Sequence, residues 1–268
     1  MRLSSVEGGL NMVSDLYKRT LYLNKDIEYL FGHRIIEYDI RSAGFNIIRH
    51  FKFVPQKVID ALAKLDKHSR HVAIGMMERN NEDLKKKMKL GFQSCRKKFF
   101  VENNVQDEEI LSIKKDAIFL IDRVLTNTKF DTIEFVNKNE YSSYLYMNKI
   151  EFYIGDEKID CKGIRDEKVK LHEKFMLEII REFSRLMVES DKEHQLRFIK
   201  EVANAYRNRE LEAGYYRELN KESLYRPSGN IEVMTNHMGY SEFDLDLKYL
   251  DISYNYTHYI VPMYQILL

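Results

Sequence analysis

Two aspartates sit where carboxylates can do phosphoryl chemistry. Asp39 lies near the end of the apolar run RIIEYDI (34–40). Asp116 lies inside ILSIKKDAIFLI (110–121), between two apolar runs. Runs of this composition read as strands, and a charged Lys-Lys-Asp between two of them reads as a hairpin tip at one rim of a sheet. If the RIIEYDI strand lies beside that hairpin, both carboxylates reach the same rim. Two carboxylates so placed can hold a pair of Mg2+ (or Mn2+) ions, which activate an attacking hydroxyl and stabilise the leaving oxygen of a phosphoryl transfer. Each aspartate also has a plainer reading, Asp116 as a turn former and Asp39 as part of a helix N-cap.

The elements that must position these residues follow from periodicity and punctuation. After Asp39, RSAGFNIIRHF can be helical, and Pro55 suits the first turn of the next helix, PQKVIDALAKL. Residues 67–101 hold no proline and place apolar side chains near helical spacing (Val72, Met76, Met77, Leu84, Met88, Phe92), which predicts two helices broken near Asn80-Asn81. After the hairpin, TIEFVNK (132–138) and YSSYLYMNKIEFYI (141–154) read as strands, and residues 166–207 return to helical spacing. The segment 208–268 reads as a helix, a polar loop around RPSGN (226–230) and β-like ends such as YLDISYNYTHYIV. The order predicts an α+β chain with one antiparallel sheet followed by a mostly helical region.

The chain has 268 residues, 44% of them hydrophobic, and a formal net charge of +1, so it can bury a core. No apolar run is long enough for a membrane span, and the N-terminus lacks the layout of a signal peptide, so a cytoplasmic protein is expected. Two cysteines without a CxxC pair argue against a disulfide framework or a cysteine zinc site. The even charge balance hides an asymmetry: residues 41–100 hold 15 Lys/Arg against 5 Asp/Glu, a local excess of +10. A basic segment in a near-neutral chain points to a polyanion contact, or else to solvated helices with lysines outside. His68 and His71 have a spacing that allows metal ligation, although a basic helix face explains them as well. Tyr249, Tyr254, Tyr256 and Tyr259 could stack bases or serve as half-buried strand aromatics. No GxxxxGK[ST] loop, GxSxG or HExxH is present.

Taken together, this order resembles the palm of family B DNA polymerases. DIRSAGFNI (39–47) is similar to that family's motif A in its Asp, its serine at Ser42 and an apolar residue at Ile47. ILSIKKDAIF is similar to motif C in the second Asp, at Asp116. YSSYLYMNKIEFYI and DCKGI (160–164) resemble the strand and Lys-Gly turn that precede the thumb helices. The sequence departs from the family where Lys114 replaces the first motif C aspartate, where Gly44 falls near the tyrosine that excludes ribonucleotides, in lacking the fingers signature, and in having no room for an exonuclease domain before the strand.

The resemblance implies a palm-like antiparallel sheet over 1–165, with a helical fingers insertion at about 51–104, and a thumb-like helical region with a mixed tail over 166–268. It implies a Mg2+-dependent nucleotidyltransferase, of viral or mobile-element origin, that adds nucleotides to a nucleic-acid 3′ end. Asp39 and Asp116 would be the catalytic metal ligands. Ser42, Arg70, Arg79, Lys86 and Arg96 would contact nucleoside triphosphate or template, and Lys97, Lys149 and Lys162 would contact nucleic acid, DNA above all. Partner subunits would fit so small an enzyme, and a virus would place it in the host cytoplasm. The alternatives are a module that grips nucleic acid without chemistry and an accessory or structural subunit.

Overall fold

The computed structural model describes residues 14–164, 174–216 and 253–268. The chain divides into two compact units, one of residues up to 26 together with 34–140, the other of 27–33 together with 141–268. The boundary falls inside a strand rather than at residue 165, and the second unit has strands as well as helices. The reason is strand length. The run from Ile133 to Met147 is one continuous strand, so TIEFVNK and YSSYLYM are not separate elements. Its first half is buried in one core and its second half in another.

In the first unit, a short 3-10 turn (Asp15–Lys18) precedes β1 (Leu21–Leu23). Strand β2 (Tyr29–Ile40) is twelve residues long, five more than RIIEYDI at its N-terminal side. Four helices follow: α1 (Ala43–Phe51), α2 (Gln56–Ala63), α3 (Lys67–Asn80) and α4 (Glu82–Asn103). Pro55 stands at the N-cap of α2. The predicted break at Asn80-Asn81 is a cap: the Asn81 side chain accepts from the Leu84 N–H at 3.0 Å and starts α4. Strands β3 (Ile110–Lys114) and β4 (Ala117–Ile121) form the hairpin, β5 is Lys129–Phe130 and β6 is Ile133–Met147. The antiparallel order in this unit is β1-β3-β4-β2-β6, with β5 paired to β6.

Strand alternation sorts the side chains into two faces. Ile36, Tyr38 and Ile40 of β2 join Ile113, Ile118, Leu120, Ile133 and Phe135 in one core with Ile47, Ile74, Leu84, Met88, Phe92 and Phe99 of the helices. Glu37 and Asp39 therefore face the opposite side of the sheet. The basic helices therefore lie across the sheet from Glu37 and Asp39. Their apolar stripes are committed to the Tyr38 side of the sheet.

Gly91 marks how closely α4 approaches α1. A Cβ built there would lie 2.6 Å from Ile47 Cγ2, with Phe53 at 3.1 Å and Phe51 at 3.3 Å. Ile47 is fully buried and β-branched, so its methyl cannot swing away. Gly91→Ala is therefore expected to destabilise by roughly 1–3 kcal/mol through overpacking, despite a helix-propensity gain of up to about 1 kcal/mol. A denaturation midpoint equal to or above that of the wild type would refute this packing.

In the second unit, β6 pairs with β7 (Ile150–Ile154), which pairs with β8 (Ile159–Lys162), all antiparallel. Leu145, Phe152, Ile154 and Cys161 pack with Phe175, Ile180, Phe183, Ile199 and Tyr206 of the helical segments that follow, over 175–189 and 192–208. Gly163 of the Lys-Gly turn has φ +99, and a Cβ there would meet the Lys149 carbonyl oxygen at 2.5 Å, so glycine is required. The tail corrects the β-like reading. Residues 253–266 are helical, and Tyr259, Ile260, Met263 and Leu267 are buried with the apolar side of that helix inward. Tyr259 is core, with its hydroxyl accepting from Asn148 Nδ2 at 3.0 Å, and cannot stack a base. Tyr249 and the RPSGN loop lie outside the described residues.

Candidate active site

The hairpin and β2 bring the two aspartates to one rim. Asp39 is in register with Ala117, and the Ile40 N–H donates to the Asp116 carbonyl at 3.2 Å. The hairpin turns on two residues, Lys115 and Asp116, with Lys114 paired to Ala117 across it. After Asp39 the chain bends at once into α1. The Asn46 side chain donates to the Arg41 carbonyl at 2.5 Å, and the Arg41 N–H donates to the Glu134 carbonyl on β6 at 2.9 Å. Ser42 has left-handed dihedrals at the start of α1, is exposed, and makes no side-chain capping bond, which leaves its hydroxyl available at this rim.

Three further residues join the site. Lys138 on β6 lies 3.2 Å from Asp39 Oδ2 and 3.2 Å from Glu37 Oε1, and Asn139 donates to Glu37 Oε2 at 2.5 Å. Glu37 is 2% exposed, and Lys138 and Asn139 both hold its buried carboxyl. Period-2 alternation from Asp39 could have found Glu37. Nothing in the sequence singles out Lys138 and Asn139, because cross-strand register between β2 and β6 is set by tertiary pairing.

The electrostatics favour a cation. Burial foremost, and then the neighbouring Asp39 carboxylate, push the Asp116 carboxyl above the usual range. Burial pulls the Lys138 ammonium down, but Glu37 and Asp39 outweigh it and hold it above its ordinary value. Asp39 Oδ1 is buried and has no hydrogen-bond partner. An unpartnered carboxylate oxygen beside a second carboxyl that resists ionising fits a divalent cation, which would satisfy the first and discharge the second. Among the described residues no group of three or more His, Cys, Asp or Glu side chains converges on one point, so water and substrate oxygens would complete the shell.

The remaining expected site residues divide. Arg79, Lys86 and Lys97 are exposed on α3 and α4, with the Lys97 ammonium 5.6 Å from the Tyr17 ring centre. Arg70 is not free for substrate. It donates to the backbone carbonyls of Leu62 (2.9 Å) and Leu65 (2.6 Å) at the end of α2 and lies over the Phe45 ring. Arg96 is fully buried, with Nε and Nη1 donating to backbone carbonyls and Nη2 buried without a partner, so it cannot meet a triphosphate. Apolar neighbours on α4 carry both Cys95 and Arg96 inward; burial pushes the Cys95 thiol up to about 11, which keeps it unreactive. Lys149, exposed in the β6–β7 turn, and Lys162, half-buried on β8, belong to the second unit. His68 and His71 are exposed on α3 and join no metal-ligating group among the described residues.

Fold and site together define a mixed helical and antiparallel-sheet protein with two aspartates at one sheet rim and a lysine that links one of them, Asp39, to Glu37. The sequence profile of the Bacteriophage PBS1 gene 130 protein family matches residues 12–268, and the chain belongs to that family. No curated protein matches it. Among the described residues no helix is long and apolar enough to cross a membrane.

Proposed function

We propose that this phage-family protein is a compact, divalent-cation-dependent nucleotidyltransferase that extends a nucleic-acid 3′ end, DNA above all, from nucleoside triphosphates in the host cytoplasm. One observation carries the reading: the β2–β4 register that sets Asp39 beside Asp116 and leaves Asp39 Oδ1 buried without a partner. Mg2+ or Mn2+ held by the two aspartates would supply Lewis-acid activation of the attacking hydroxyl and charge neutralisation on the phosphoryl oxygens. The chain's own residues do the rest. Lys138 neutralises Glu37 and stays within reach of Asp39, Ser42 offers a hydroxyl at the rim, and the peptide bond between Asp39 and Ile40 is fixed to the hairpin by the Asp116 carbonyl. The palm-like and thumb-like assignments belong to this proposal, as do partner subunits.

A second reading, a nucleic-acid-binding module without chemistry, is favoured by one observation. The exposed Arg79, Lys86 and Lys97 lie on the helical layer, across the sheet from Glu37 and Asp39. Both readings require salt-dependent nucleic-acid binding. The log–log slope of affinity against salt is expected to be about −0.7 to −0.9 per phosphate contacted. Lys86→Ala and Lys97→Ala should each flatten that slope by about one contact. Affinity indifferent to salt would sink both readings, and a steep slope untouched by these variants would remove the helical layer from the contact. A primer-extension assay with Mg2+ or Mn2+ then separates enzyme from module.

A further inference from the structure

The buried arginine of α4, Arg96, reaches the hairpin tip next to Asp116. Arg96 is fully buried although it is charged, and burial lowers its guanidinium only to about 10, so it remains a cation at neutral pH. Its Nε donates to the Tyr17 carbonyl at 3.0 Å and its Nη1 to the Lys115 carbonyl at 2.5 Å. The Lys115 carbonyl belongs to the peptide that leads directly into Asp116. On the other side of that residue, the Asp116 carbonyl accepts from the Ile40 N–H. Both peptides flanking Asp116 are thus fixed, one to α4 and one to β2.

The hairpin tip has reason to need such a brace. Lys115 has φ +56, in a two-residue turn where that dihedral favours glycine or asparagine. The turn is clamped a second time by the Lys115 N–H, which donates to the Thr20 carbonyl at 2.8 Å, and Gln93 of α4 donates to the Lys18 carbonyl at 2.7 Å. Residues 17–20 therefore form a strap tied to both α4 and the hairpin tip, and Arg96 ties strap and tip together. A guanidinium does this better than an ammonium, because its planar fork sends donors from two separate nitrogens to two fixed carbonyls at once.

We infer that Arg96 is the positioning residue of the two-aspartate rim: it fixes the Lys115-Asp116 peptide so that Asp116 stands beside Asp39. The inference rests on the cation-site reading for its consequence, and on the hydrogen bonds alone for its geometry, so the two can fail separately.

The test uses the full chain with Arg96→Met and Arg96→Lys, the second keeping a charge in the cavity without the fork. Amide hydrogen exchange at Ile40 and Lys115 reports the tip, and exchange at Ile36 and Leu120 reports the same sheet away from it. Arg96→Met is expected to speed exchange at Ile40 and Lys115 by about tenfold or more relative to Ile36 and Leu120, with Arg96→Lys intermediate. Equal loss of protection at all four amides, or none, in either folded variant would overturn the inference. If the methionine variant does not fold, the lysine variant decides alone.

Binding of Mn2+ supplies the second readout, because it opposes simple electrostatics. Removing a nearby positive charge should by itself tighten cation binding. Loss of a positioning partner instead weakens it, typically by about 10–100-fold. Weaker Mn2+ binding in Arg96→Met supports positioning, and tighter or unchanged binding overturns it. A wild type that binds no Mn2+, while the exchange pattern stands, sinks the cation-site reading and leaves the brace intact.

Discussion

Asp116→Asn and Asp39→Asn are each expected to reduce nucleotide incorporation by about a thousandfold or more, equivalent to about 4 kcal/mol at 1.36 kcal/mol per decade, while nucleic-acid binding persists. The substitution preserves shape and removes charge. A turn-forming aspartate tolerates it, because asparagine suits turns equally well. A ligand of Mg2+ does not, because hard cations need anionic oxygen. Exposed Arg79, Lys86 and Lys97 are untouched, so binding should survive.

The same variants make a stability prediction with a definite sign. Asp116 has a carboxyl raised in the folded state, first by burial and then by Asp39. A raised carboxyl means that the folded chain binds the proton more tightly than the unfolded chain. Its contribution to stability is therefore greatest at low pH and is lost as pH rises from the ordinary aspartate range through the raised value. At neutral pH a buried carboxyl that resists ionising beside Asp39 is a net burden without a cation, so Asp116→Asn should raise the denaturation midpoint in metal-free buffer. Added Mg2+ should stabilise the wild type and leave Asp116→Asn unmoved. Full incorporation activity in either variant would rule out the two-carboxylate mechanism. A midpoint for Asp116→Asn below that of the wild type in metal-free buffer would contradict the burial and repulsion assigned to Asp116.

Much of this architecture is legible in the residues, for identifiable reasons. RIIEYDI and ILSIKKDAIFLI are apolar runs of strand length with one polar break, and they form β2, β3 and β4 with the break at the turn. The Asn81 cap between α3 and α4 shows as a polar break in a helical pattern. The tail is a different case. YLDISYNYTHYIV has the aromatic composition of a strand, yet its described part is helical because Tyr259, Ile260, Met263 and Leu267 find apolar neighbours in the second core. Tertiary packing overrides β propensity there. Arg70 and Arg96 show the limit for sites. A basic residue on a predicted helix looks like a phosphate contact until the backbone carbonyls of another segment reach it, and those carbonyls carry no sequence signal. Asp39 and Asp116 were accessible because strand and hairpin chemistry fix where rims lie. Lys138 was not, because nothing local specifies which strand lies beside β2.

The core beneath the rim yields the largest stability effect. Phe99 of α4 is fully buried, stacked on Phe135 of β6 with ring centres 4.1 Å apart, 5.5 Å from the Tyr38 ring and edge-on to Phe130. It is the point where the helical layer meets the strands that carry the site. Tyr38 lies between Glu37 and Asp39 in sequence, on the opposite face of β2, and its hydroxyl accepts from the Leu125 N–H at 2.7 Å. Phe99→Ala removes apolar area and leaves a cavity walled by β-strand aromatics that cannot collapse without breaking that hydrogen bond. The expected loss is about 3–5 kcal/mol, at the upper end for core truncations. That is a large fraction of the roughly 5–15 kcal/mol available to a folded domain. Val101→Ala on the same helix, 52% exposed, should change stability by no more than about 0.5 kcal/mol and serves as control. Chemical denaturation followed by circular dichroism gives both values, and hydrogen exchange at β2 amides shows where the loss falls. A loss below about 1 kcal/mol for Phe99→Ala would mean that α4 does not rest on Tyr38 and Phe135. The face assigned to Glu37 and Asp39 would then have to be reassigned with it, since it is the burial of Tyr38 against Phe99 that turns their carboxylates to the other side of the sheet.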